Sequence, residues 1–141
     1  MNNSVKITVT GYQDEVSEEP TVVETIGTLH TRDGLHYIRY TDPEGLKTLI
    51  KIKPGYAIVT RSGAVSSVME FIQDDRTECV YPTPYGTFDT VINTHSVTIV
   101  TREDEPPAAD VFSAGIVYDL TLNDQRISKC RLEIKAVQHG F

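Results

Sequence analysis

Spacing is what most constrains this chain. Short β-branched stretches recur along it, and nearly all the segments between them are too brief for anything but a tight reversal. In "VKITVTGY", Val5, Ile7 and Val9 alternate with Lys6, Thr8 and Thr10. In "KCRLEIKA", Cys130, Leu132, Ile134 and Ala136 face one way and Lys129, Arg131, Glu133 and Lys135 the other. A period of two marks a half-buried strand. Turn chemistry separates the strands: "TRDGL", "DPEGL", "KPGY", "RSGA" and "TPYGT" close on Gly34, Gly45, Gly55, Gly63 and Gly86, while "QDD" and "LNDQR" rely on Asp and Asn. No window repeats apolar residues at helical spacing. A parallel crossover needs about a dozen residues, so the strands run antiparallel. They are expected near residues 5–12, 21–31, 35–41, 46–53, 56–60, 65–72, 77–81, 87–101, 111–122 and 127–137. Two connections are longer: the acidic stretch 13–20, and "EDEPPAAD" at 103–110, where Pro106 and Pro107 cannot donate to a ladder.

Two irregularities favour closure. In "TFDTVINTHSVTIV", Phe88 and Ile92 hold even positions while Val97 and Ile99 hold odd ones, so a bulge is expected between 92 and 97. Several middle strands carry apolar residues on both faces, as in Tyr56 and Ile58 against Val59. An open flat sheet would expose them, whereas a barrel or a partner covers them. The reading is one all-β domain over residues 1–141: an antiparallel meander closed into a barrel of eight to ten strands, the first pairing with the last. A two-sheet sandwich is the alternative. "YPTPYG" reads as a hairpin corner with a three-residue loop, of the kind "RDG" and "PEG" also suggest.

Composition narrows the partners. The formal charge is −7, and the 13 basic residues are scattered singly, while the clusters "DEVSEE" and "REDEP" are acidic. Binding to phosphate backbones concentrates Lys and Arg, so neither nucleic acid nor an anionic membrane is the expected partner. No run approaches the roughly 18 apolar residues of a membrane helix. "MNNSVKITVTGY" lacks the basic-then-apolar form of a signal peptide. Cys79 and Cys130 read as reduced core residues, so the expected location is cytoplasmic.

A longer succession of residues resembles a known family. It comprises Gly11 and Gln13 of "GYQ", Gly27, Tyr37, Ile38 and Tyr40 of "YIRY", Gly45 and Leu46, and Lys51 in "LIKI". It continues with Arg61, Gly63, Met69 and Phe71 of "TRSGAVSSVMEF", with Tyr81, Thr83, Pro84, Tyr85 and Gly86, and with Thr94 and "YDL" at 118–120. The R-x-G, M-x-F and Y-x-T-P-Y-G series is similar to that of the YwiB-like bacterial proteins, small calycin (lipocalin-like) barrels of unknown function. The resemblance covers nearly the whole chain and implies a barrel and a cytosolic bacterial setting, with no catalytic residue. In that family an acidic residue tends to follow the Tyr40 match closely; Thr41 and then Asp42 stand there in this chain.

No reaction motif is visible: there is no nucleophile elbow, zinc-protease motif, C-x-x-C or phosphate loop. No catalytic residue, metal or cofactor is therefore assigned. A three-residue loop at Arg32-Asp33-Gly34 would oppose His30 to His36, with β-carbons about 4.5–5.5 Å apart; a two-residue loop would oppose Thr31 to His36 instead. His95 and His139 have no recognisable partner. What remains is binding. If Met69 and Phe71 point inward, Ala57 and Val59 share their face and Arg61 sits at its rim, where a guanidinium clamps carboxylate or phosphate. Tyr81, Tyr85 and Tyr118 would add amphipathic walls. The expected function is binding a small amphipathic or apolar ligand in the lumen without catalysis. The alternative is a homodimeric interaction module with a filled core. An enzyme using a lumen acid or base comes third.

Overall fold

In a computed structural model, ten strands form a single antiparallel sheet curled into a nearly closed barrel. The structure describes residues 4–13, 19–63, 66–83, 86–101, 112–122 and 125–138. The strands are β1 (Ser4–Gln13), β2 (Thr21–Arg32), β3 (Leu35–Thr41), β4 (Lys47–Lys53) and β5 (Tyr56–Ser62), then β6 (Ser67–Ile72), β7 (Asp75–Thr83), β8 (Gly86–Thr101), β9 (Phe112–Leu122) and β10 (Gln125–Gln138). Every boundary lies within two residues of expectation. Each strand pairs with its sequence neighbours except β6 with β7, and β1 pairs with β10 from Val5↔Gln138 to Gln13↔Cys130. The sheet's two edges are therefore β6 and β7, which follow one another in sequence. They lie side by side without a backbone ladder, bridged by the Thr77 hydroxyl donating to the Glu70 carbonyl.

The base of this seam is fastened by loops. The β8 register shifts between Thr94 and Ser96, leaving His95 as the extra residue, inside the interval that the parity change marks. Around this bulge, Asp74 N donates to Thr94 O (2.8 Å), Gly55 N to Val97 O (3.0 Å) and Gln73 N to Gly55 O (2.9 Å). The Gln73 amide oxygen accepts from Val97 N at 3.1 Å. Two hairpin turns and a bulge thus satisfy one another's backbone groups at the end of the seam.

Turn chemistry sets the register. Asp33 and Gly34 both have positive φ (53° and 79°), and Arg32 pairs with Leu35. This is a two-residue loop of the I′ kind, matched to strand twist. It corrects the three-residue expectation at "RDG". Thr31 opposes His36, with its Oγ1 2.8 Å from His36 Nδ1, and His30 opposes Tyr37. Among the described residues no group of three metal-ligating side chains comes together. "DPEG" does form a three-residue loop. Asp42 N donates to Leu46 O at 2.9 Å, Gly45 has φ 88°, and Asp42 Oδ1 accepts from Glu44 N and Leu46 N at 2.9 Å each. At "TPYG" the ladder resumes at Thr83↔Gly86, a two-residue connection instead of the expected three; Pro84 and Tyr85 lie outside the described residues.

Inward side chains stack in rows across β3–β6. Register places His36, Ile52, Ala57 and Phe71 in one row, then Ile38, Ile50, Val59 and Met69, then Tyr40, Thr48, Arg61 and Ser67. The first two rows meet Ile7, Ile92, Phe112, Ile116 and Ile134 in a continuous buried core. The third row is polar, and it lies at the end of the barrel where β3 and β5 terminate.

Candidate functional site

The polar row opens into a pocket of about 330 Å³ at this end of the barrel. Four strands build its working wall. Tyr40 comes from the end of β3, Arg61 from the end of β5, Tyr118 from β9 and Leu132 from β10, while Val9 and Val23 add apolar surface. Asp42 and Glu19 also line it.

Tyr40 is only 7% exposed. Burial pushes its phenol above the ordinary value of 10.0, and neighbouring Arg61 and Thr48 pull the other way more weakly. The phenol is therefore a neutral hydrogen-bond donor at neutral pH. Its position depends on Gly27, which faces Ile7 and the Tyr40 β-carbon where β2 leaves the β3 ladder. Thr48, between Tyr40 and Arg61 in the row, is 3% exposed, and its Oγ1 makes no full hydrogen bond among the described residues. Arg61 is half-buried, and among the described residues it forms no ion pair. The Asp42 carboxylate is committed to its own turn, one oxygen holding two backbone N–H groups.

The residues singled out by sequence divide by depth. Arg61 and Tyr118 line the pocket. Met69 lies one row deeper, half-buried against the core, and Phe71 two rows deeper at 1% exposure. Phe71 meets Tyr118 edge-on, with ring centroids 4.9 Å apart, so it supports the pocket from below. Tyr81 pairs with Phe88 in the β7–β8 ladder near the same end of the barrel; its side chain and all of Tyr85 lie outside the described residues. Sequence reasoning missed the parts played by Tyr40 and Thr48. The signal was available: the "PEG" loop pairs Tyr40 with Thr48, and the Pro54-Gly55 loop pairs Thr48 with Arg61.

Other candidate chemistry stays apart. His95, expected to lack a partner, holds Asp119 Oδ2 at 2.8 Å on the exposed side of the bulge. Glu70 accepts from the Tyr56 hydroxyl at 3.0 Å, and Glu78 pairs with Arg76 at 3.1 Å. Glu70, Glu78 and Cys79 border a second cleft along the β6/β7 seam, and Arg61 reaches that cleft as well. Burial raises the Cys79 thiol above its ordinary value, the opposite of what a nucleophile needs. Among the described residues no helix is long and apolar enough to cross a membrane.

Comparison with known proteins agrees with this architecture. The "Uncharacterized beta-barrel protein YwiB" of Bacillus subtilis (strain 168) is 24% identical over 117 residues, covering 81% of this chain and 78% of the relative. The crystal structure of the ywiB protein from Bacillus subtilis matches with a TM-score of 0.68 over 97% of this chain and 91% of that one, at 18% identity. That likeness shows the fold. With residues 5–134 matching its family model, this chain belongs to the family described as Domain of unknown function (DUF1934).

Proposed function

We propose that this barrel is a non-catalytic binding protein for a small amphipathic molecule, seated at the mouth pocket with Arg61 orienting it. One observation carries the reading: a half-buried guanidinium without an ion pair among the described residues, in a pocket it shares with Tyr40 and Tyr118. A guanidinium taken partly out of water gains most from an oxygen-bearing partner. The rows below Arg61 are filled by side chains, which favours the mouth over the deep lumen. Calycin-type barrels that carry small molecules supply a fold-level analogy in the same direction. The protein is expected to work in the cytoplasm.

Native mass spectrometry of freshly purified protein tests this, with thermal melting against a panel of small amphipathic metabolites. A co-purifying adduct, or a melting shift that grows with ligand concentration, supports the reading when Arg61→Gln removes it. An adduct-free protein with a melting temperature indifferent to millimolar concentrations of the whole panel refutes it.

A second reading has its own observation. The outer face of β2–β6 exposes Ile26 (48%) and Val68 (49%), with Leu49 and Ile58 half-exposed between them. Covering this face in a homodimer would remove apolar surface from water. The same spectra report subunit number.

A further inference from the structure

We propose that the mouth pocket selects a compact monocarboxylic acid, with the carboxylate on Arg61 and Tyr40 and an aryl or branched apolar body against Tyr118 and Leu132. The inference rests on the binding reading above and adds the chemistry of the ligand's head and body.

The head group follows from the donors. Register aligns Tyr40, Thr48 and Arg61 on adjacent strands. Arg61 has only donors, and the buried Tyr40 phenol keeps its proton at neutral pH. Between them, the Thr48 hydroxyl is sealed from solvent without a hydrogen-bond partner among the described residues. A buried hydroxyl left unpaired costs about 1–3 kcal/mol, and native structures rarely leave one without a reason. An oxygen arriving between Tyr40 and Arg61, with a small adjustment of the row, supplies an acceptor for both and a partner for the Thr48 hydroxyl. Tyr40 and Arg61 line the pocket as donors, with Thr48 between them in the row, and two convergent donors describe a site for an oxyanion.

The charge of that oxyanion follows from the rest of the wall. Arg61 is the only cation lining the pocket among the described residues, and Asp42 and Glu19 add two carboxylates. A phosphate monoester carries about −1.5 to −2 at pH 7 and would meet two negative groups with one positive. A carboxylate meets the same two groups but carries only one negative charge, so Arg61 offsets it fully and the repulsion is correspondingly weaker. The body follows from volume and depth. About 330 Å³ is at the small end of ligand pockets. Beneath it Phe71, Ile7 and Ile116 are sealed, so a long alkyl chain has no channel to descend.

Fluorescence titration with three isosteric probes tests the assignment: 2-naphthoate, 2-naphthalenemethanol and 2-naphthyl phosphate. The chain contains no tryptophan, so naphthyl emission is read cleanly. The acid is expected to bind at least about 10-fold tighter than either other probe, as a lost charge-assisted contact of about 1.5–3 kcal/mol implies. In Arg61→Gln the acid falls to the level of the alcohol, while the alcohol's own affinity moves less than about twofold by the same reasoning. Arg61→Lys, which keeps the charge without the planar fork, is intermediate; Tyr40→Phe and Thr48→Val each weaken the acid alone. Equal binding of acid and alcohol, tighter binding of the phosphate, or an acid affinity insensitive to Arg61→Gln overturns the head-group assignment and leaves pocket binding standing. Failure of all three probes to bind at millimolar concentration, with wild-type melting intact, overturns the pocket reading as well.

Discussion

Gly27→Ala is expected to be the most damaging single methyl added anywhere in the described barrel. A β-carbon there would sit 2.2 Å from the Arg39 carbonyl oxygen, 2.6 Å from Ile7 Cδ1 and 3.0 Å from the Tyr40 β-carbon. The first contact is decisive, because a backbone oxygen cannot rotate away. Relief requires β2 and β3 to separate next to Thr28↔Arg39, where their ladder ends. Overpacking commonly costs about 1–3 kcal/mol and sometimes more; a backbone clash belongs at the upper end, near 3 kcal/mol. For a chain of this length that lowers the melting temperature by about 10 °C. Urea unfolding should show a lower midpoint with an unchanged slope. Ile7→Val removes the second contact but not the first, so in the double variant it should recover only part of the loss. Gly115→Ala is the control. Its nearest neighbour is Thr98 Oγ1 at an ordinary 3.5 Å, and reduced chain entropy should leave it neutral or slightly stabilising. A Gly27→Ala midpoint equal to that of Gly115→Ala would refute the reasoning. The functional consequence is equally specific: the displaced strand carries Tyr40, so ligand binding should fall further than stability alone predicts.

The remaining expectations concern single groups. Thr48→Val removes a sealed, unpaired hydroxyl at nearly constant shape and should raise stability by about 1 kcal/mol while weakening the acid probe; a comparable fall in the urea midpoint would contradict the account of that hydroxyl. The Tyr40 phenol, raised by burial, favours the protonated folded state, so its contribution is complete below pH 10 and is lost as pH rises through the folded value. Wild-type melting should therefore decline more steeply above pH 10 than that of Tyr40→Phe, whereas Tyr56→Phe, at a shifted but only partly buried group, should alter the slope less. Thiol labelling of the native protein at pH 8 should modify Cys79 slowly and spare Cys130, since one is half-buried at the seam and the other fully buried. Equal labelling of both under native conditions would contradict the burial assigned to Cys130.

Much of this is legible in the residues themselves, for identifiable reasons. Period-two alternation in "VKITVTGY" and "KCRLEIKA" reports one dry and one wet face, and Val5, Ile7, Val9, Ile134 and Ala136 are all buried. The parity change in β8 announced the bulge that His95 occupies. Reading failed where one residue of loop length decides the outcome. At "RDG", a two-residue and a three-residue loop are both compatible with the letters, and they put different residues opposite His36. The two histidines occupy opposite faces, His36 against the Phe112 ring at 5.0 Å and His30 on the outer side with Tyr37.

The sequence by itself determined the strands, their antiparallel order and the shared parity of Arg61, Met69 and Phe71, but not that their face is the inner one. Alternation and turn residues are local properties, and short connections leave a chain few ways to reverse. It could not determine depth. Parity says that Arg61, Met69 and Phe71 share a face, but barrel curvature and the packing of side chains from the far wall decide which rows are filled. Only the tertiary structure left Phe71 in the core and Arg61 at an open mouth, and only there do Tyr40 from β3 and Tyr118 from β9 meet one pocket. Such long-range contacts depend on the whole barrel closing, which no short stretch of residues encodes.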